Sequence, residues 1–139
     1  MGRTLRLALV GLALIAALPA CRAASAEPGG GRTVHITIHF SRFHPEQVVV
    51  APGETVTFVV RNTDPIDHEF IVGDAYVQQI HEDGTEPSHA PRPGEMSVPA
   101  GTTQTTTYTF PNTDGHLIFA CHVPGHYAYG MRGLITIQG

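Results

Sequence analysis

The sequence contains no lysine. Lys and Arg together number 8, so every base is arginine, against 12 acidic residues and a formal net charge of -4. That balance excludes a nucleic-acid binder, which would be basic. Charged residues make up only 14% of the chain and apolar ones 42%, a composition that folds into a globule and does not stay disordered. Long apolar runs are missing too. The run "LALVGLALIAAL", Leu7 to Leu18, falls short of the roughly 20 residues a spanning helix needs. Cysteine is scarce: Cys 2, at Cys21 and Cys121.

What is present at the N-terminus reads as an export signal. Arg3 and Arg6 precede the apolar run, and "LPAC", Leu18 to Cys21, follows it. This resembles a bacterial lipobox, with Cys21 as the lipidated first residue; ordinary cleavage after "ASA", at Ala26, is the alternative. Residues 1–20 are therefore expected to be a signal peptide and residues 21–32, rich in Ala, Gly, Ser and Pro, a flexible tether. Both readings place the protein outside the cytoplasm, anchored to the cell membrane or free in the periplasm or medium. The net charge of -4 becomes -6 once Arg3 and Arg6 are removed. Cys121 is then a lone thiol in an oxidising compartment, a hazard unless a metal occupies it.

From Thr33 the pattern has period two. "VHITIHF" sets Val34, Ile36, Ile38 and Phe40 on one face; "QVVV", "TVTFVVRN", "HEFIV", "TTQTTTYTF", "HLIFAC" and "GLITIQ" follow with turn residues between them. Seven or eight short strands over residues 33–139 predict an all-β chain, a Greek-key β-sandwich. Residues 74–94 break the rhythm as a longer insertion, in which "AYVQQIHE" predicts about two turns of helix.

The chemistry gathers in "FACHVPGHYAYGM", where Cys121, His126 and Met131 are spaced five and five. That spacing suits neither one helical face nor one strand face, so it needs a loop that curls back, and Pro124, Gly125 and Gly130 supply the bends. Thiolate and thioether are soft donors and imidazole is intermediate. Two histidines and a cysteine with a weak axial methionine form a blue-copper arrangement, and the methionine argues against zinc. His68, at the start of the "HEF" strand, is the candidate for the second histidine.

With these residues in view, the chain resembles a cupredoxin of the plastocyanin/azurin type from about Thr33 to Gly139. "CHVPGHYAYGM" followed by "RGLITIQG" has that family's loop and last strand. The resemblance implies one type 1 copper per chain held by His68, Cys121, His126 and Met131, and an electron carrier with no catalytic residues of its own. It also implies an apolar docking patch around Val123, Pro124, Tyr127 and Tyr129. The expected partners are redox proteins such as cytochromes or copper oxidases and reductases, meeting a monomer weakly and transiently.

Two departures from the family pattern stand out: the 74–94 insertion, and His122 directly after Cys121. A Cys-His pair resembles copper nitrite reductases and multicopper oxidases, in which the adjacent histidine reaches another copper. Neighbouring side chains at a strand end diverge, so His122 is expected to face away from the blue site. Two rivals follow, a copper oxidoreductase with a second metal at His122 and a copper delivery or storage protein. Only Met96 and Met131 survive leader removal, which counts against delivery. His81 and His89, with Glu82, Asp83 and Glu86, are either a second metal or partner site or a solvated loop, and the solvated loop is the expectation. His35, His39, His44 and His116 are expected at the surface or at strand ends.

Overall fold

Ten elements follow one another along the chain: β1 (Arg32–Ile38), β2 (Phe43–His44), β3 (Gln47–Val50), β4 (Thr55–Asn62), β5 (His68–Gly73), α1 (Ala75–Glu82), β6 (Glu95–Val98), β7 (Thr103–Thr109), β8 (Gly115–Ala120) and β9 (Arg132–Ile137). They come from a computed structural model that describes residues 31–87 and 89–139. The expected signal peptide, Cys21 and nearly all of the expected tether lie outside the described residues. Among the described residues no helix is long and apolar enough to cross a membrane.

The strands form two sheets, ordered β2-β1-β4-β7 and β3-β9-β8-β5-β6. β1 pairs with β4 in parallel and β3 with β9 in parallel; the remaining pairs are antiparallel. This is the expected β-sandwich. Period-two strands bury one face each: Val34, Ile36 and Ile38 from β1 and Val56, Phe58 and Val60 from β4 meet Phe70, Phe119 and Ile135 from the other sheet. Four rings, Phe43, Phe58, Phe70 and Phe119, interlock there with centroids 5.2 to 5.8 Å apart. Each such ring contributes about 1.5–3 kcal/mol by leaving water.

Two local expectations need correction. Phe40 does not continue the buried face of β1; it is 82% exposed. The strand ends at Ile38, and Phe40 and Ser41 turn through φ of 50° and 52°, which breaks the alternation. β2 and β6 bring the strands to nine among the described residues. β2 is too short, and "EMSV" of β6 too poorly alternating, to announce itself. The helix α1 falls where "AYVQQIHE" placed it, with Asp74 as N-cap accepting the Val77 N–H at 3.0 Å.

The sandwich tolerates little at Gly133 in β9. A Cβ there would lie 2.1 Å from Phe119 Cζ and 2.7 Å from the Glu46 carbonyl oxygen. The Glu46 oxygen cannot yield, because it accepts the Leu134 N–H at 2.8 Å. Gly133→Ala is therefore expected to cost about 2–3 kcal/mol, as overpacked cores do, read as a lowered urea midpoint with an unchanged slope.

Candidate metal centre

The centre lies at one end of the sandwich, where β5 begins and β8 ends. The antiparallel register pairs Ile71 with Ala120, which brings the start of β5 beside the chain that leaves β8. His68 opens β5 and Cys121 immediately follows β8. From Cys121 the loop curls back in short turns. The His126 N–H donates to the Val123 carbonyl at 2.9 Å, the Tyr129 N–H to Gly125 at 3.0 Å and the Gly130 N–H to Tyr127 at 2.9 Å. Gly125 and Gly130 sit at φ of 87° and 89°, the left-handed region that glycine enters freely. The loop is then closed by the Met131 N–H donating to the His126 carbonyl at 2.9 Å and the Cys121 N–H donating to the Met131 carbonyl at 3.2 Å. The five-and-five spacing is thus a closed ring of backbone bonds.

Three donor atoms converge. His68 Nδ1 and His126 Nδ1 are 3.2 Å apart, and Cys121 Sγ lies 3.4 Å from His126 Nδ1 and 3.8 Å from His68 Nδ1. An ion about 2.0–2.3 Å from each donor in a trigonal arrangement separates them by roughly 3.5–3.7 Å. The triangle therefore fits a metal ion with little movement. Met131 is buried in the same core cluster as Cys121, and its backbone binds both Cys121 and His126.

The surroundings set the state of these donors. Burial raises the Cys121 thiol pKa, partly offset by the Glu69 and Val123 N–H groups; the Glu69 N–H points at Sγ from 3.3 Å. Burial, and then the neighbouring His68, lowers the His126 pKa, which keeps that imidazole neutral and able to donate a lone pair. His68 is held by a residue that the sequence left unmarked. Asp64 Oδ2 lies 3.0 Å from His68 Nε2, so Nε2 carries the proton and Nδ1 faces the cluster, the familiar carboxylate–histidine support of a metal ligand. Asp64 is itself fixed by the N–H groups of Phe40 and Ser41, both at 2.8 Å.

The remaining histidines separate into two groups. His35, His39, His44 and His116 are exposed, as expected. His122 faces away from the donor triangle, and the insertion covers it: its side chain is 2% exposed, with Nε2 2.8 Å from Gln78 Oε1 and Nδ1 3.0 Å from Glu82 Oε2. Gln78 is itself buried, and its amide donates to the Ile71 and Ile118 carbonyls at 3.2 and 3.1 Å. His81 departs from the solvated-loop expectation, because it lies half-buried in α1, whereas His89 is an exposed loop residue. Their side chains are 14% and 26% exposed and lie against Glu86 and Glu95.

Comparison with known proteins agrees with this geometry. The family model described as copper binding proteins, plastocyanin/azurin family, matches residues 33–138. The chain belongs to that family, a cupredoxin, and copper is its metal. It is similar to the copper-resistant cuproprotein CopI of Rubrivivax gelatinosus, 34% identical over 112 residues, covering 77% of this chain and 67% of that one. It is also similar to CopI of Pseudomonas aeruginosa, 28% identical over 139 residues, covering 77% and 76%. Among solved structures auracyanin B shares the fold, with a TM-score of 0.65 at 18% identity over 82% of this chain and 94% of that one.

Proposed function

We propose that the protein carries single electrons between redox proteins outside the cytoplasm, with copper held by His68, Cys121, His126 and Met131. The observation that carries this reading is a donor triangle already assembled by the scaffold. His68 is fixed by Asp64, Cys121 by the Glu69 N–H, and His126 and Met131 by the loop's own backbone bonds. Bound copper supplies a one-electron Cu(I)/Cu(II) couple. A cage that moves little between the two states keeps the reorganisation cost of that exchange low. His126 is only partly buried and lies beside exposed Tyr129 in the loop. The loop's exposed tyrosine supplies an apolar contact for brief docking, as small electron-transfer interfaces require. A lipid on Cys21 would hold the domain at the membrane surface by its tether.

A second reading has one observation in its favour. The relatives named above are called copper-resistant cuproproteins, so protection against copper is the competing role. Voltammetry of the copper-loaded protein tests the first reading. One reversible one-electron wave, with one blue copper per chain, is the expected result. An irreversible response, or copper that cannot be reduced and reoxidised without leaving the protein, would refute it. Raised copper sensitivity in cells lacking the gene, with respiration and growth otherwise unchanged, would favour the second.

A further inference from the structure

The insertion brings a second set of metal donors together on the far side of His122. His81 comes from the last turn of α1, Glu86 and His89 from the loop behind it, and Glu95 from the start of β6. His81 Nε2 lies 2.8 Å from Glu86 Oε2 and 3.9 Å from Glu95 Oε1; His89 Nε2 lies 3.2 Å from Glu86 Oε2 and 3.4 Å from Glu95 Oε2. Four donors about 2.1 Å from one ion stand roughly 3.0–3.4 Å apart along the edges of a square or tetrahedron. The observed histidine–carboxylate separations bracket that range. Three of the donors, from His81, Glu86 and Glu95, lie within 4.8 Å of one another.

Ordinary ion pairing does not account for the arrangement. His81 Nε2 and Glu95 Oε2 are both buried and neither makes a hydrogen bond, although a carboxylate oxygen is only 2.8 Å from His81 Nε2. The nitrogen is close to its neighbours but is not aimed along an N–H···O line at either. Buried polar atoms are almost always satisfied, so two orphans within one cluster point to a missing partner. The Nδ1 of His89 donates to the Ala90 carbonyl at 2.7 Å, which fixes the ring with Nε2 turned toward Glu86 and Glu95. Arg92 Nη1 binds the other oxygen of Glu86 at 2.9 Å and offsets part of the carboxylate charge. A cavity of about 250 Å³ opens beside three of the four side chains, those of His81, His89 and Glu95.

We propose that His81, Glu86, His89 and Glu95 bind a second metal ion, separate from the blue centre and sharing no ligand with it. Two imidazoles and two carboxylates suit a borderline divalent cation, Zn²⁺ or Cu²⁺. They do not suit Cu⁺, which prefers sulfur donors. The His81 ring stacks on the His122 ring, with centroids 5.6 Å apart and planes at 22°, and His122 is the residue after Cys121. An ion on His81 is therefore one stacked ring and one peptide from the copper thiolate, close enough to register there.

The test uses the full chain with its blue centre first filled by one equivalent of Cu(II). Zn(II) is then added in excess, the protein is desalted, and both metals are measured by elemental analysis. About one zinc retained per chain is expected for the wild type. Glu95→Gln, which keeps the side-chain volume, and His81→Ala are each expected to lower the retained zinc at least tenfold while the blue band persists and reports an intact fold. The same preparation with excess Cu(II) should show a second, non-blue copper in its electron paramagnetic resonance spectrum, absent from both variants. A wild type that retains no zinc and shows no second copper spectrum overturns the proposal. So does undiminished binding in both variants. Loss of the blue band in the wild type would instead count against the electron-carrier reading, so the two failures are distinguishable.

Discussion

Copper-loaded Cys121→Ser should be nearly colourless. The intense visible band of a type 1 site is a charge transfer from thiolate sulfur to Cu(II), and Cys121 is the only sulfur within the donor triangle formed with His68 and His126. Serine matches the cysteine closely in size, so the fully buried position is not emptied. Its hydroxyl does not ionise near neutral pH and gives no comparable band. The Glu69 N–H, 3.3 Å from Sγ, retains a polar acceptor, so the fold should survive. Visible absorption per bound copper is expected to fall by at least about tenfold, leaving a weak nitrogen- and oxygen-ligated copper spectrum. Far-ultraviolet circular dichroism should be unchanged. A folded variant that remains intensely blue would remove Cys121 from the site.

The legibility of the sequence followed the range of the interactions involved. β1 and β4 could be read because burial on one face of a strand leaves a period-two record in the chain itself, as in Val56, Phe58 and Val60. The copper loop could be read for a similar reason: Cys121, His126 and Met131 lie within eleven positions, and their chemistry restricts what they can hold. The helix α1 was visible in "AYVQQIHE", although the role of Gln78 was not. A buried glutamine that binds the carbonyls of Ile71 and Ile118 and also meets His122 is defined largely by Ile118 and His122, which lie far from it in sequence. The same holds for the cluster behind His122. His81 and His89 were visible as histidines, but Glu95 joins them only because β6 pairs with β5, and nothing local in "EMSV" shows that pairing. Phe40 misled for the opposite reason. Its alternation with Ile38 was real in the sequence, but a left-handed turn held by a distant carboxylate overrode it.

That carboxylate is the most informative residue that the sequence left unmarked, and its removal should have the second large effect. Asp64→Ala takes away three acceptor contacts together: those for the Phe40 and Ser41 N–H groups, each 2.8 Å away, and that for His68 Nε2 at 3.0 Å. The two backbone groups belong to residues at positive φ, so the turn loses the bonds that hold its least favourable conformation. An unsatisfied buried donor costs about 1–3 kcal/mol. A loss of roughly 2–4 kcal/mol in stability is therefore expected for this buried carboxylate, measured by urea unfolding of the copper-free protein. The effect on copper is separate. Without Asp64 the His68 ring is no longer held with its proton on Nε2, and Nδ1 faces the site only part of the time. Loss of such a partner typically weakens metal binding about 10–100-fold, and competition with a copper chelator would measure it. Asp64→Asn separates the two effects. With its amide oxygen in the Oδ2 position it still accepts from Ser41 and His68 and abandons only the Phe40 N–H. It should therefore recover most of the copper affinity and a large part of the stability. If Asp64→Ala binds copper as tightly as the wild type and with the same reduction potential, Asp64 supports the turn alone, and the orientation of His68 must come from the packing around β5.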